Sequence, residues 1–235
     1  MTAPNPSARR STRSLVRPVD PTSVVDQVAE ELRRSIVRGT LAPGSSFSLR
    51  EIADQLGVSF IPVREALRKL ESQGLIRTRP GKSAEVTPLD RDDLHAIYRL
   101  RKLIEPDITG RVSSLLTAEH VGSLEHILVQ YADTRSDVDM RWDLHRQFHL
   151  ELLRPAATAW DMRTLQMLWD AGERYVRHAF DKRVAEPEVP ERRAQVHREL
   201  LRDVSSGDVA LASAAALEHL THNEEIAIRG ISDDE

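Results

Sequence analysis

Two short helical segments separated by a glycine turn constrain the fold of this 235-residue chain more than any other feature. Ser48-Leu-Arg-Glu51 has the form of a capping box, in which the Ser hydroxyl and the Glu carboxylate satisfy amide donors at the first turn of a helix. Gly57 ends that helix, and Ser59 caps the next one. The buried stripe of this next helix has helical spacing, at Val63, Leu67 and Leu70. The pattern predicts a helix-turn-helix.

The flanking segments extend this motif into a winged helix-turn-helix over residues 21–88. Before it, apolar residues recur every four positions and stop at Gly39, which predicts one amphipathic helix; they are Val24, Val28, Leu32 and Ile36. After it, two short strands are predicted at 75–79 and 83–87, joined by a turn at Pro80-Gly-Lys82. This hairpin is the wing. The architecture is typical of DNA-binding proteins, although it also serves other roles.

Charge is divided unevenly along the chain. Residues 1–83 hold 14 Lys and Arg against 8 Asp and Glu, whereas the remaining residues hold 19 against 29. Such a division favours a basic module that meets polyanions and an acidic module that does not, with ordinary sampling of charge as the alternative. Residues 1–20 are rich in Arg, Ser and Pro and have little that could pack, which predicts a disordered basic arm. An organellar transit peptide is the alternative, but an extended apolar face is lacking.

Composition limits the chemistry that the chain can perform. Cysteine is absent, so disulfides and thiolate metal sites are excluded, and any transition-metal site must use His, Asp or Glu. No run of 18 apolar residues occurs, which predicts no membrane partner. A reducing cytoplasm is the expected location.

Beyond Thr87 the strand signals vanish, which predicts a mainly α fold. Helices are predicted at 89–113, 117–133, 138–154, 158–181, 189–205 and 208–229, with Gly207 and Gly230 as stops. They form an all-α antiparallel bundle of six or seven helices over residues 89–232. Apolar and aromatic residues of the fourth of these helices are assigned to core and dimer packing: Trp160, Leu165, Leu168, Trp169, Tyr175 and Phe180.

Three segments of the N-terminal part resemble the winged helix of the GntR family: Gly39-Thr-Leu-Ala-Pro-Gly44, Leu49-Arg-Glu-Ile-Ala-Asp-Gln-Leu-Gly-Val-Ser59 and Pro62-Val-Arg-Glu-Ala-Leu67. In such a fold the third helix enters the major groove of double-stranded DNA. Arg64 is the leading candidate for a base or phosphate contact, because a guanidinium can grip guanine or phosphate with two donors. The alternatives are a solvated Arg64 or a pair with a nearby acid.

The resemblance also implies DNA contacts outside Arg64. They lie at Arg50 in the second helix, at Ser59, and at Gly81 and Lys82 in the wing tip. One departure concerns the pair that follows Ser59, where family members commonly carry basic or polar residues. Here the pair is Phe60 and Ile61, and three roles stay open for it: contact with a thymine methyl group, internal packing, or a changed operator.

The C-terminal part resembles the FCD ligand-binding domain of the FadR subfamily, through Tyr98-Arg-Leu-Arg-Lys-Leu-Ile-Glu105, His145-Arg-Gln-Phe-His149, His197 and His219-Leu220. His145 and His149 are four residues apart, hence on one face of a helix. The resemblance implies that His149, His197 and His219 are metal ligands, and His145 occupies the place of the usual Asp ligand. Four imidazoles favour a transition metal, with Zn or Ni expected. Surface or hydrogen-bonded core histidines are the alternative.

The resemblance further implies that Arg101 holds an effector carboxylate near the metal, with a salt bridge to Glu105 as the alternative. The leading hypothesis is a homodimeric repressor of a pseudo-palindromic DNA operator, controlled by a small organic acid. One rival is a DNA-binding dimer with a purely structural helical domain. A metal-dependent hydrolase is the other rival, but no sequence motif supplies an activated nucleophile, so an enzyme is not expected.

Overall fold

A computed structural model of the chain describes residues 23–79, 83–134, 137–181 and 190–232. The predicted arm at 1–20 and the wing-tip residues Gly81 and Lys82 lie outside the described residues. The mainly α fold class is confirmed, with a small sheet confined to the N-terminal part.

The N-terminal part has a helix-strand-helix-helix order followed by a hairpin. Its elements are α1 (Val24–Val37), β1 (Ser46–Phe47), α2 (Leu49–Leu56), α3 (Phe60–Ser72), β2 (Ile76–Arg79) and β3 (Ser83–Val86). The strands form an antiparallel sheet in the order β1-β3-β2. The core between helices and sheet includes Ile36, Val63, Leu67, Leu70 and Val86. The predicted winged helix-turn-helix is therefore present.

Local signals set the turn between α2 and α3. Both hydrogen bonds of the capping box are made, with the Ser48 hydroxyl accepting from the Glu51 amide and the Glu51 carboxylate accepting from the Ser48 amide. Gly57 has φ 64°, a left-handed conformation that a side chain disfavours, and its amide closes the end of α2. This turn fixes where α3 starts.

The C-terminal part consists of long helices that pack on one another. Their bounds are α4 (Arg91–Ser113), α5 (Ala118–Asp133), α6 (Val138–Leu153), α7 (Ala159–Asp181), α8 (Pro190–Val204) and α9 (Val209–Ser232). Central α4 packs most extensively on α9, and α5 packs on α6 and α8. None of the helices in the described part of the chain is long and apolar enough to cross a membrane.

Three sequence-based predictions need correction. The two-residue β1 was missed, because it is too short to show periodicity and exists only through pairing with β3. Gly230 does not end a helix, since α9 continues past it. Its lack of a side chain allows close contact with Ala179, whose Cβ and backbone would clash with a Cβ at this position. Trp160 is not a core residue, because 74% of its surface is exposed.

Polar bonds join the two parts of the chain. Arg33 Nη1 on α1 donates to Asp170 Oδ1 on α7 at 2.8 Å. Arg174, on the same face one turn further along α7, donates to the backbone oxygen of Thr87 at 2.9 Å. Asp170 and Arg174 are both buried, so α7 supplies buried polar contacts between the winged helix and the bundle.

Candidate metal centre and nucleic-acid interface

Four histidines from three helices meet inside the bundle. His145 and His149 lie one turn apart on α6, whereas His197 comes from α8 and His219 from α9. One ring nitrogen from each lies within 4.8 Å of the others, so the four rings face a common point. The predicted four-histidine cluster is thus assembled by helices that are distant in sequence.

Hydrogen bonds orient two of these rings. His197 Nδ1 lies 2.7 Å from the backbone oxygen of Arg193, which can only accept, so Nδ1 carries the proton. The Nε2 atom of His197 therefore keeps a free lone pair, and it lies 3.3 Å from Nε2 of His149. This arrangement resembles the second-shell hydrogen bonding that fixes the tautomer of metal-ligating histidines.

His219 and His145 each have a buried ring nitrogen without a hydrogen-bond partner. In His219 this atom is Nδ1, while its Nε2 lies 3.0 Å from the side-chain amide of Asn223. Turning the amide over would bring its oxygen to Nε2, so that Nε2 donates and Nδ1 keeps a lone pair. In His145 the unpartnered atom is Nε2. Buried nitrogens without partners are rare in folded proteins and call for a ligand.

Burial keeps the four imidazoles uncharged. Desolvation is the main cause that lowers the pKa of His145, His149 and His219 well below the ordinary value, and it lowers the pKa of His197 to about 4. The positive charge of Arg193 acts on all four rings in the same direction. Neutral imidazole is the form that binds metal, so the cluster is ready to do so at neutral pH.

The four-nitrogen donor set suits a transition-metal ion. Neighbouring ligand nitrogens about 2.0–2.1 Å from one ion lie about 3 Å apart, close to the 3.3 Å between the two Nε2 atoms described above. Asp143, the nearest acid along α6, is exposed and lies 3.8 Å from Arg38, so it does not join the cluster. Nitrogen-only ligation disfavours Mg and Ca.

A cavity that is partly open to solvent adjoins His145 and His149. Other residues lining it include Tyr98, Arg101, Trp142, Arg146, Trp169, Glu173 and Arg193.

Arg101 lies at this cavity, but its charge is already neutralised. Its Nε donates to Glu105 Oε1 at 2.6 Å, and Trp169 Nε1 donates to the same oxygen at 2.9 Å. The salt bridge that the sequence left as an alternative for Arg101 is therefore formed.

Sequence reasoning missed two other cavity arginines, Arg146 and Arg193. Arg193 precedes His197 by four residues, the same one-turn spacing that links His145 to His149. This spacing was the available signal for Arg193. Arg146 directly follows His145, and no sequence pattern distinguishes it from a solvated arginine.

Arg146 connects the cavity to the winged helix. It donates to Asp170 and lies 3.2 Å from Glu173 on α7. Arg33 of α1 donates to the same Asp170 oxygen, so one buried carboxylate is shared by a cavity residue and a residue of the N-terminal part.

The start of α3 presents a different surface. Ser59 is the N-cap of α3, yet its side chain makes no cap hydrogen bond and stays exposed. Phe60 and Ile61 are 48% and 63% exposed, so they do not pack internally. Arg64 is exposed one turn later, with Nε 3.5 Å from Glu65. Arg50 is exposed on α2.

A winged helix joined to an all-helical domain with an interior cavity is typical of DNA-binding transcriptional regulators, in which the third helix enters the major groove. Two protein families match the chain. One is described as bacterial regulatory proteins of the gntR family and matches residues 24–86, and the other is the FCD domain, which matches residues 96–222.

Relatives of known or assigned role cover most of the chain. The HTH-type transcriptional repressor RspR of Escherichia coli K12 is 30% identical over 86% of this chain and 88% of its own length. A probable D-xylose utilization operon transcriptional repressor of Paenarthrobacter nicotinovorans is 28% identical over 85% of this chain and 86% of its own. The structure of E. coli McbR/YncC matches with a TM-score of 0.76 at 22% identity, covering 88% of this chain and 98% of the other.

The chain belongs to the GntR family, as a member with an FCD domain. It is a DNA-binding transcriptional regulator. Its family and relatives are regulators rather than enzymes, which removes the hydrolase hypothesis.

The buried imidazoles predict an unusual acid sensitivity of the metal-free protein. Below pH 6.5 these histidines bind protons in the unfolded chain but not in the folded one. Their contribution to the free energy of unfolding is therefore fully present above pH 6.5 and is lost as the pH falls toward the folded pKa values. Each such histidine makes the dependence of the free energy of unfolding on pH steeper. Urea unfolding of chelator-treated protein at pH 7.5, 6.0 and 5.0 measures the slope.

The matched variants are His145→Gln and His222→Gln, the second at an exposed histidine outside the cluster. The first variant should flatten the slope, and the second should leave it unchanged. A stability that stays constant from pH 7.5 to 5.0 would contradict the prediction, since most carboxylates titrate at lower pH.

Proposed function

We propose that this regulator is a metal-dependent sensor of a small organic acid, and that acid binding changes its affinity for a pseudo-palindromic operator. The observation that carries the proposal is the cluster of four neutral imidazoles beside a cavity that also holds arginines. Zn or Ni suits four nitrogen ligands. An ion held by these histidines with an open coordination position would act as a Lewis acid toward a carboxylate, and the cavity residues would orient the rest of the acid.

A homodimer would supply the two recognition helices that a pseudo-palindromic operator requires. Family membership supports this assembly, because GntR regulators usually act as dimers. Leu100 and Leu103 of α4 are exposed apolar residues on the helical domain, suited to a contact between copies. Repression is favoured over activation because two of the relatives described above are named repressors.

Metal content tests the proposal most directly. Protein purified without a histidine tag should contain about one transition-metal ion per chain by elemental analysis. His149→Ala should lose the ion, because it removes a ligand whose Nε2 faces that of His197. His222→Ala is the matched control on α9 and should keep it.

Operator affinity of the metal-loaded protein is then measured against a panel of small carboxylates. A carboxylate that shifts affinity for wild type but not for His149→Ala supports the sensor. Absence of metal in all three proteins, together with no carboxylate effect, would instead support a purely structural helical domain.

The exposed start of α3 supports a role in base contact for Ser59, Phe60, Ile61 and Arg64, and the exposure of Arg50 on α2 supports its predicted contact with DNA. Arg64→Ala should weaken operator binding by about 1–3 kcal/mol if Arg64 reads a base, and the loss should shrink on unrelated DNA. Fluorescence anisotropy with operator and scrambled duplexes measures both. Arg154→Ala, at the exposed C-cap of α6, is the control. Equal affinity of Arg64→Ala and wild type removes Arg64 from the contact set.

The shared carboxylate of Asp170 offers a physical route from the cavity to the winged helix. An acid that draws Arg146 toward it would alter the balance of charge around Asp170, and Arg33 would respond because it donates to the same oxygen. Allosteric coupling of this kind has a free energy of about 1–3 kcal/mol.

Asp170→Asn removes the shared charge with little change in shape. The ratio of operator affinities with and without the active carboxylate should move toward one, while metal content stays at the wild-type level. Arg34→Gln is the control, since Arg34 neighbours Arg33 on α1 but pairs only with Glu30 and Glu31 in the described structure. An affinity ratio in Asp170→Asn equal to that of wild type would rule out this route.

A further inference from the structure

Three arginines line the cavity, and two of them have acidic partners. Arg101 is paired with Glu105, and Arg146 is paired with both Asp170 and Glu173. Their charges are therefore balanced before any ligand arrives.

Arg193 differs from the other two. Only 7% of its surface is exposed, its Nη2 is buried without a hydrogen-bond partner, and no carboxylate among the described residues forms a salt bridge with it. Its guanidinium instead lies against two aromatic rings, 5.1 Å from the centre of Trp142 and 4.3 Å from that of Phe180. Stacking on aromatic faces attracts the cation but leaves the N–H donors of Nη2 unused.

A buried cation without an anionic partner is strongly disfavoured unless a ligand completes it. Arg193 also lines the same cavity as His145 and His149, so an anion that reaches the histidine cluster lies within the same space.

The histidine cluster adds to this imbalance. All four candidate ligands are neutral imidazoles, so a bound divalent ion would keep its full charge. Two positive centres, the ion position and Arg193, would then face one cavity whose lining carboxylate, Glu173, is already paired with Arg146 and Arg177.

We propose that the effector of this regulator is a small dianionic acid, with one acidic group directed to the four-histidine site and the second held by Arg193. This inference rests on the proposed function, because it names the class of acid that the same site accepts. Arg193 is thus the residue that distinguishes a dicarboxylate from a monocarboxylate, with its planar fork of donors suited to a second carboxylate.

The test uses titration calorimetry on the full-length, metal-loaded protein. The probes are malonate, succinate and glutarate, each compared with its own monoamide, which has nearly the same shape but one charge less. For wild type, at least one dicarboxylate should bind about tenfold or more tightly than its monoamide. Arg193→Gln should remove this preference by weakening the dicarboxylate and leaving the monoamide within about threefold.

Arg163→Gln is the matched control, because Arg163 also stacks on an aromatic ring, Trp160, but lies outside the cavity. It should keep the wild-type preference. Metal content is measured after each titration, so that removal of the ion by a chelating probe is not scored as binding. If Arg193→Gln does not fold, Arg193→Met replaces it, since an unbranched apolar side chain can fill the space between Trp142 and Phe180.

The outcomes separate the two proposals. If no acid binds metal-loaded wild type, both the acid sensor and the dianion are overturned. If acids bind but dicarboxylates show no advantage, or if the Arg193 variant weakens dicarboxylate and monoamide equally, only the dianion inference is overturned and the sensor remains.

Discussion

Four imidazoles are buried away from water between α6, α8 and α9, and the hydrogen bonds and charge pairs around them depend on this burial. Burial holds the rings uncharged, so each needs a hydrogen-bond donor or acceptor, or a metal ion, for its nitrogens. The Arg193 carbonyl and the Asn223 amide supply two such partners, and the remaining buried nitrogens face one another. The same low-polarity setting makes every nearby charge expensive, which is why Arg101 is matched by Glu105. It is also why we propose a ligand for Arg193, which forms no salt bridge with a carboxylate among the described residues.

Charge matching also explains how the two parts of the chain are held together. α7 faces the cavity on one side and α1 on the other, and Asp170 accepts hydrogen bonds from both directions. A surface ion pair would contribute little, but a buried carboxylate with two arginine partners is sensitive to the loss of either one. The position of the winged helix therefore depends on the contact at Asp170, whose charge balance includes the cavity residue Arg146. A ligand that binds in the cavity can shift this contact.

Sequence reasoning located the elements well because their signals are local. The capping box at Ser48 and the stop at Gly57 depend on neighbouring residues alone, and the structure forms both. Predictions failed where distant contacts decide the outcome: Gly230 continues its helix because it packs against Ala179, and Trp160 is exposed because no other element in the described part of the chain covers it. The candidate ligands were found through one-turn spacing and family resemblance, whereas Arg146 carried no pattern of its own.

The sequence by itself determined the winged helix-turn-helix, the helical domain and the four histidines, because capping, periodicity and residue chemistry are written in short segments. Only the tertiary structure decided which charges are balanced. Arg101 and Arg193 are equivalent as residues, and both lie on helices that face the cavity, but a neighbouring carboxylate neutralises the first, whereas two aromatic rings enclose the second. Pair formation in a buried site depends on distances between helices that are far apart in sequence, and these distances exist only after the bundle has packed.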